Sequence, residues 1–308
     1  MSTATARETT RPAADKNEKA AEYVMPFSAI TLDDLSRVGG KNASLGELIK
    51  VLAPRGIRVP DGFAITADAF RLNLEEAGLD SSIYTELDQV DVTDVSALAT
   101  LARSIRGRVA EARLPDSIVA AVDQAYEQLS RKYGEDATDV AVRSSATAED
   151  LPSASFAGQQ ETYLNVHGRD ALNQAIRACM ASLFTDRAIV YRTERGFAHR
   201  DVALSVGVQK MVRSDLGAAG VIFTLDTESG FRDVVLITGA PGDSAKQWLR
   251  AGCGRMSSGC TSLRSGSDFV RSSVVRSPTR LSSSSTRTRV PEPSKRFGYQ
   301  GEIVSERC

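Results

Sequence analysis

The feature that most constrains the fold of this chain is the loss of hydrophobic periodicity after residue 240. Apolar residues in segment 241–308 follow neither the 3.6-residue period of a helix nor the two-residue period of a strand, so the segment offers no face that a core could bury. It contains 15 serines and carries a net charge of +7, whereas residues 1–240 carry −8. The sequence therefore predicts a folded region followed by an aberrant, low-complexity, disordered tail over residues 241–308.

Residues 23–240 alternate between helix and strand patterns, and residues 1–22 are predicted to form a disordered arm. Apolar residues recur at i, i+3, i+4 and i+7 from Leu45 to Leu52, directly after a break at a glycine pair. Further helices are predicted from Thr66 toward Gly78 and over residues 94–110, 116–132, 170–184 and 186–195, and strands over 63–66, 140–142, 161–166, 204–212, 221–223 and 234–237. This pattern predicts a mixed α/β (α+β) fold.

The composition excludes several functional classes. The 38 basic and 39 acidic residues leave a net charge of −1, which gives the whole chain no attraction to nucleic acid or to anionic membranes. No apolar run approaches the roughly 18 residues that a membrane helix needs, and the N-terminal residues lack the apolar core of a secretory signal. The four cysteines show no paired metal-binding spacing. We therefore expect a cytoplasmic protein without nucleic-acid or membrane partners, and the sequence leaves its oligomeric state open.

Two short motifs are typical of phosphate binding. Gly39, Gly40 and Lys41 precede a helix, where glycines let the backbone approach an anion and the helix N-terminus and the lysine supply positive charge. Arg143 follows an apolar strand and is followed by hydroxyl side chains, an order that suits a bidentate phosphate clamp. Taken alone, the first motif also fits an ordinary turn and the second a surface arginine.

Two further segments have weaker nucleotide-binding character. Residues 155–162 are small and include Gly158, which suits a lid whose backbone amides cover a polyphosphate, although a plain hairpin loop fits equally well. Residues 209–212 end an apolar strand, where backbone groups and Met211 could hold a purine ring. A methionine at a strand end is also typical of an ordinary core.

No metal-binding or catalytic residue is assigned within the chain. Asp226, Glu228 and Asp233 could bind Mg²⁺, but acidic residues in turns are mostly solvated. His167 and His199 have no neighbouring acid or serine in the sequence that would suggest nucleophilic catalysis.

Taken in their order and spacing, these motifs are no longer independent. Together they resemble the N-terminal part of the phosphoenolpyruvate synthase (pyruvate, water dikinase) family over residues 24–240. The segments that carry the resemblance are RVGGKNASLGELI (37–49), VPDGFAITADAF (59–70), VRSSATAEDLPSASFAGQQETYLNV (142–166), SLFTDRAIVYR (182–192), GVQKMVRSDLGAAGVIFTLDTESGF (207–231) and VVLITGA (234–240).

The resemblance implies an incomplete ATP-grasp nucleotide-binding domain. The family makes phosphoenolpyruvate, AMP and phosphate from ATP, water and pyruvate with Mg²⁺, passing the β-phosphate to a histidine on a separate domain. Pyruvate binds only in the complete enzyme. By motif match, Lys41 and Arg143 would hold the ATP phosphates. Gly158 and Gln159 would lie in the lid, and Gln209, Met211 and Val212 would frame the adenine.

The departures from the family pattern are as informative as the match. Family members are more than twice this length, and the phosphohistidine and pyruvate domains have no counterpart here, so we expect this chain to be inactive alone. After Ala240 the family continues with Trp-Gly-Leu-Gly-Glu, which this chain lacks. Permitted codons for Ala240 through Leu249, read one base out of register, can encode that motif. The sequence thus predicts a one-base frameshift near codon 240.

Two alternatives remain open. A related antibiotic phosphotransferase of the rifamycin type shares the Gly-Gly-Lys and Val-Arg-Ser elements, although residues 146–160 and 214–230 favour the synthase. Alternatively, the chain is a non-enzymatic product whose basic, Arg/Ser-rich tail binds RNA through phosphate contacts, without the ordered aromatic platforms typical of such binding.

Overall fold

A computed structural model of the chain describes residues 22–147, 161–226, 229–232, 234–241 and 271–276. The chain divides into two compact units, residues 1–211 and residues 212–308. The boundary between the units lies within the single domain predicted over residues 23–240.

The first unit combines α-helices with one β-sheet. Its helices are α1 (Leu35–Leu52), α2 (Ala67–Glu76), α3 (Asp80–Gln89), α4 (Val95–Glu111), α5 (Asp116–Lys132), α6 (Arg169–Ala181) and α7 (Asp186–Glu194). Short 3₁₀ helices span Phe27–Ala29, Leu32–Asp34, Ala53–Arg55 and Ser182–Phe184. The strands are β1 (Val24–Pro26), β2 (Gly62–Ile65), β3 (Val140–Ala146), β4 (Thr162–Val166) and β5 (Leu204–Lys210).

The sheet has the order β1-β2-β5-β3-β4, and each neighbouring pair is antiparallel. Central strand β5 is buried from Leu204 to Gln209. Antiparallel strands packed with helices define an α+β fold, whereas α/β proteins have mainly parallel sheets. The structure therefore confirms the mixed fold and selects the α+β alternative.

Alternation along the strands separates two cores on opposite faces of the sheet. The larger core contains Phe63 and Ile65 of β2 and packs the apolar faces of α2 to α6. The smaller core lies on the other face, under α1, and consists of Phe27, Ile30, Val38, Ala43, Leu45 and Ala64. Helix α1 thus covers a face of the sheet that the other helices leave open.

The second unit contains a 3₁₀ helix (Ser214–Leu216) and an antiparallel sheet of β6 (Ala218–Phe223), β7 (Val234–Pro241) and β8 (Arg271–Arg276) in that order. Strand β8 lies inside the predicted tail, so the prediction of a disordered tail is wrong for these six residues. Its backbone pairs with the edge of β7, and edge pairing needs backbone donors and acceptors rather than a periodic apolar face. The remaining tail residues lie outside the described ranges.

Candidate functional site

Helix α1 is interrupted at Gly39, where φ is 71° and ψ is 164°. A Cβ added to Gly39 would lie 2.4 Å from Ser145 Oγ and 2.7 and 2.8 Å from the backbone oxygens of Ser145 and Ala146. Glycine is therefore needed here both for its positive φ and for its lack of a side chain. The break confirms the predicted interruption, and it creates a new helix N-terminus at Gly40 that lies against the end of β3.

Asn42 anchors this new N-terminus to the sheet. The residue is 0% exposed, and its Nδ2 donates to Val38 O at 3.0 Å and to Ser205 Oγ at 3.1 Å. Ser205 Oγ in turn donates to Ile65 O at 2.6 Å. A Cβ on Gly207 would lie 2.4 Å from Asn42 Oδ1, so the helix approaches β5 closely only because residue 207 is glycine.

Sequence reasoning missed Asn42, although a signal was present. Val38, Asn42 and Leu45 are spaced i, i+4, i+7, the spacing that places side chains on one buried face of a helix. An amide on such a face needs hydrogen-bond partners, because an unpaired buried polar group is costly. The polar residue in the apolar stripe was the indication.

Arg143 lies on the same face of the sheet as α1. Arg143 pairs with Gly207, and Ser145 pairs with Ser205, across the antiparallel β3–β5 ladder. Directly opposed residues in such a ladder point to the same side, and Gly207 and Ser205 both meet Asn42 of α1. The fold therefore brings Arg143 and the helix N-terminus that carries Lys41 to one face.

The predicted adenine segment lies at the other end of β5. Gln209 is 8% exposed, and its Nε2 donates to Pro60 O at 3.0 Å. Met211 donates its backbone N–H to Asp139 O at 2.9 Å. Both residues belong to the first unit, whereas Val212 is the first residue of the second. The side-chain amide of Gln209 thus holds the β2 entry rather than pointing outward.

Other predicted residues are not brought to this face or lie outside the described ranges. Gly158, Gln159, Glu228 and Asp233 fall outside those ranges. Asp226 accepts a hydrogen bond from Ser229 Oγ in a tight turn, as the solvated-turn alternative predicts. In the part of the chain that the structure describes, no group of three or more His, Cys, Asp or Glu side chains could hold a metal ion.

Both histidines have structural partners. His167 Nδ1 lies 2.9 Å from Asp139 Oδ1, so the expectation that it has no acidic neighbour is wrong. The two residues are 28 positions apart, and the pairing of β3 with β4 brings them together. His199 is 8% exposed and accepts a hydrogen bond at Nδ1 from Arg192 Nε at 3.1 Å.

A buried break at Gly39, a helix N-terminus and a neighbouring arginine on one face form a site for a multiply charged anion. Helix N-termini present unpaired N–H groups and a positive dipole end. A guanidinium adds planar, bidentate recognition of phosphate oxygens. The class of protein that this fold and site define is an α+β protein with a phosphate-binding face.

Comparison with known proteins is more specific. A sequence model of the family described as pyruvate phosphate dikinase, AMP/ATP-binding domain, matches residues 35–245, and the chain belongs to this family. The matched residues include α1, the break at Gly39 and strand β3.

Several relatives are named phosphoenolpyruvate synthase. The chain is 57% identical to that of Pseudomonas aeruginosa over 221 residues and 54% identical to that of Deinococcus radiodurans over 221 residues, in both cases 72% of this chain and 28% of the relative. It is 50% identical to that of Escherichia coli over 226 residues, 73% of this chain and 28% of the relative. The resemblance to the N-terminal part of this enzyme is confirmed, and the chain matches little more than a quarter of these relatives' length.

One further finding concerns membranes. Among the helices of the described residues, none is long and apolar enough to cross a bilayer.

Proposed function

We propose that residues 23–240 form an ATP-grasp-like domain that binds ATP as the nucleotide-binding part of a phosphoenolpyruvate synthase. The observation that carries the proposal is the helix N-terminus at Gly40, held against the end of β3 on the face that carries Arg143. The family match to an AMP/ATP-binding domain supplies the identity of the anion. The named relatives also favour the synthase over the rifamycin-type alternative.

In this proposal, Lys41, Arg143 and the N–H groups of the helix N-terminus bind the phosphate oxygens. Phosphoryl transfer depends mainly on positioning and on stabilising the charge of the phosphates, which these groups supply. The lack of a Cβ at Gly39 allows the backbone to approach β3 closely enough to complete the cradle. Mg²⁺ would enter with the nucleotide, held chiefly by its phosphates, and would neutralise part of their charge.

The remaining assignments rest on the motif match. Gly158 and Gln159 would cover the phosphates as a lid. Gln209, Met211 and Val212 would frame the adenine, with the half-buried Met211 as an apolar surface. The phosphate acceptor would be a histidine on a separate domain, since His167 and His199 both serve as partners to residues of the first unit.

We further propose that residues 1–22 form an arm, that residues 23–240 are a partial domain, and that residues 241–308 arise from a shifted reading frame. The family match ends at residue 245, only a few residues past the codon at which the frame would change. The excess of serine and arginine after this point supports the same interpretation. Sequencing the DNA across codons 230 to 270 tests it, and a shifted frame that lacks the Trp-Gly-Leu-Gly-Glu motif would contradict it.

ATP binding can be tested by calorimetry on the full chain and on Lys41→Ala and Arg143→Ala variants. Each substitution removes a charge-assisted contact, so we expect ATP affinity to fall roughly tenfold or more. Lys50→Ala is the matched control, because Lys50 is an exposed lysine in the last turn of the same helix. Its ATP affinity should equal that of the unmodified chain. Equal losses in Lys41→Ala and Lys50→Ala would argue against a phosphate site at the Gly39 break.

A further inference from the structure

We propose that Asn42 is a positioning residue that holds the phosphate-binding helix N-terminus in register with Arg143. This inference rests on the proposed ATP-binding function and adds a residue that does not itself contact the nucleotide. The argument starts from a polar cross-link inside the contact between α1 and the sheet.

The cross-link joins three elements. Asn42 Nδ2 donates both to Val38 O in α1 and to Ser205 Oγ in β5, and Ser205 Oγ donates to Ile65 O in β2. Asn42 and Ser205 are both 0% exposed. Hydrogen bonds in such a setting are directional, so they fix the helix along and across the strands more narrowly than apolar packing does.

Stability alone does not account for an amide at this position. Asn42 Oδ1 has no hydrogen-bond partner among the described residues, and an unpaired buried acceptor carries a desolvation cost. The surrounding small core is apolar, with Val38, Ala43 and Leu45 from the same helix. An apolar side chain of similar size would avoid the cost. The amide is therefore best explained by the geometry that its Nδ2 imposes.

That geometry bears directly on the break in the helix. Val38 immediately precedes Gly39, so a bond from Asn42 Nδ2 to Val38 O spans the residue with the positive φ. The same Nδ2 contacts Ser205, which pairs with Ser145, the residue that the backbone of Gly39 approaches. One side chain thus sets both the turn at Gly39 and its distance from β3. The direction of the Gly40 and Lys41 N–H groups relative to Arg143 follows from these two constraints.

The inference can be tested with Asn42→Leu and Asn42→Asp in the full chain. The first removes the amide at similar volume, and the second keeps its shape but replaces the Nδ2 donor with an acceptor. Asn73→Leu is the matched control, because Asn73 is also 0% exposed in the same unit and neither its Nδ2 nor its Oδ1 has a partner among the described residues. ATP, tripolyphosphate and adenosine are each measured in competition with a fluorescent ATP analogue, and Tm is measured for every variant.

We expect both Asn42 variants to bind ATP and tripolyphosphate about tenfold more weakly, the effect of losing one charge-assisted contact, while adenosine affinity stays unchanged. Asn73→Leu should leave all three affinities unchanged. If Asn42→Leu fails to fold, Ser205→Ala removes a single partner of the amide and should still weaken tripolyphosphate relative to adenosine. This selective loss is what separates positioning from a general structural role.

Three results would overturn the inference. If the unmodified chain binds ATP and the Asn42 and Ser205 variants bind it equally well, the inference fails while the proposed function stands. If the variants lose ATP, tripolyphosphate and adenosine in parallel with a fall in Tm, Asn42 has only a structural role. If the unmodified chain binds neither ATP nor tripolyphosphate, the proposed function fails and the inference falls with it.

Discussion

At the scale of single residues, the least expected arrangement is a buried arginine paired with a histidine. Arg192 is 0% exposed, and its Nη1 donates to Leu183 O at 2.7 Å while its Nε donates to His199 Nδ1. Burial lowers the pKa of the Arg192 guanidinium to about 10, so it keeps its charge at neutral pH. Burial, and then the charge of Arg192, lower the pKa of His199, with a smaller opposing contribution from Asp88. The histidine is therefore held neutral, with Nδ1 as an acceptor.

This pairing predicts a loss of stability in mild acid. A lowered pKa of His199 in the folded state means that the unfolded state binds the proton first, so its contribution to stability is complete above about pH 6.5 and is lost as the pH falls toward the folded-state pKa. We expect the Tm of the full chain to fall by a few degrees between pH 7 and pH 5. His199→Gln, which keeps an acceptor for Arg192, should show a shallower fall.

The matched control for this prediction is His167→Gln. His167 is the other histidine of the chain, and it is exposed beside Asp139. Its variant should keep the pH dependence of the unmodified chain. A His199→Gln profile parallel to that of the unmodified chain would show that the pair does not titrate with folding.

Residue types alone indicated part of the candidate site. Lys41 and Arg143 were predicted from their chemistry and their place at the ends of elements, and the fold brings both to one face. Asn42 was not predicted, because its partner Ser205 is 163 residues away. His167 was judged to lack an acidic neighbour for the same reason. Contacts between distant segments carry no local signature.

At the scale of elements, α1 is two helical segments joined at Gly39. The segment before the break packs Val38 into the smaller core, and the segment after it carries the phosphate-binding N–H groups in the proposed function. A glycine at this position therefore serves the element rather than a local turn. Its replacement should be felt by the whole helix.

Gly39→Ala should destabilise the chain by roughly 2–4 kcal/mol, combining the cost of a positive φ with that of overpacking against β3. Gly56→Ala is the control: Gly56 also has a positive φ, of 75°, but nothing lies within 4 Å of an added Cβ. Its cost should be limited to roughly 1–2 kcal/mol. Urea unfolding of the two variants measures the difference. Equal losses would mean that the close approach of Gly39 to Ser145 is relieved by a small shift of the helix.

Prediction of the elements succeeded where the local pattern was long and well delimited. Helix α5 begins and ends as predicted, because Pro115 and Asp116 mark its start and its apolar stripe is strong. Helix α3 was missed, since its ten residues bury only Ile83, Tyr84 and Leu87. Strand β1 was also missed, because three residues are too few to show alternation and pairing with β2 defines them.

At the scale of the whole molecule, the family match extends across the boundary between the two units, from residue 35 to residue 245. The tail beyond it contributes β8 to the second unit by pairing with β7. Because the matched region corresponds to 28% of each of the three relatives described, the chain carries only the part of the proposed enzyme that binds nucleotide.

The full chain should therefore form no phosphoenolpyruvate from ATP and pyruvate, because the proposed acceptor histidine and pyruvate site belong to other domains. Phosphorus NMR of the reaction mixture, with and without the purified chain, measures this directly. The complete Escherichia coli relative serves as the positive control. Accumulation of phosphoenolpyruvate with this chain alone would contradict both the division of roles between domains and the account of residues 241–308.

The sequence by itself determined the alternation of helices and strands, the interruption at Gly39 and the family, because each is written in local pattern or in contiguous motifs. The order of the strands, the separation of two cores and the meeting of Arg143 with the α1 N-terminus were decided by tertiary structure. These depend on which distant strands pair and in which register, as Ser145 with Ser205 and Arg143 with Gly207. Asn42 belongs to both levels: its place in an apolar stripe was visible in the sequence, but its purpose appears only when β5 lies beneath it.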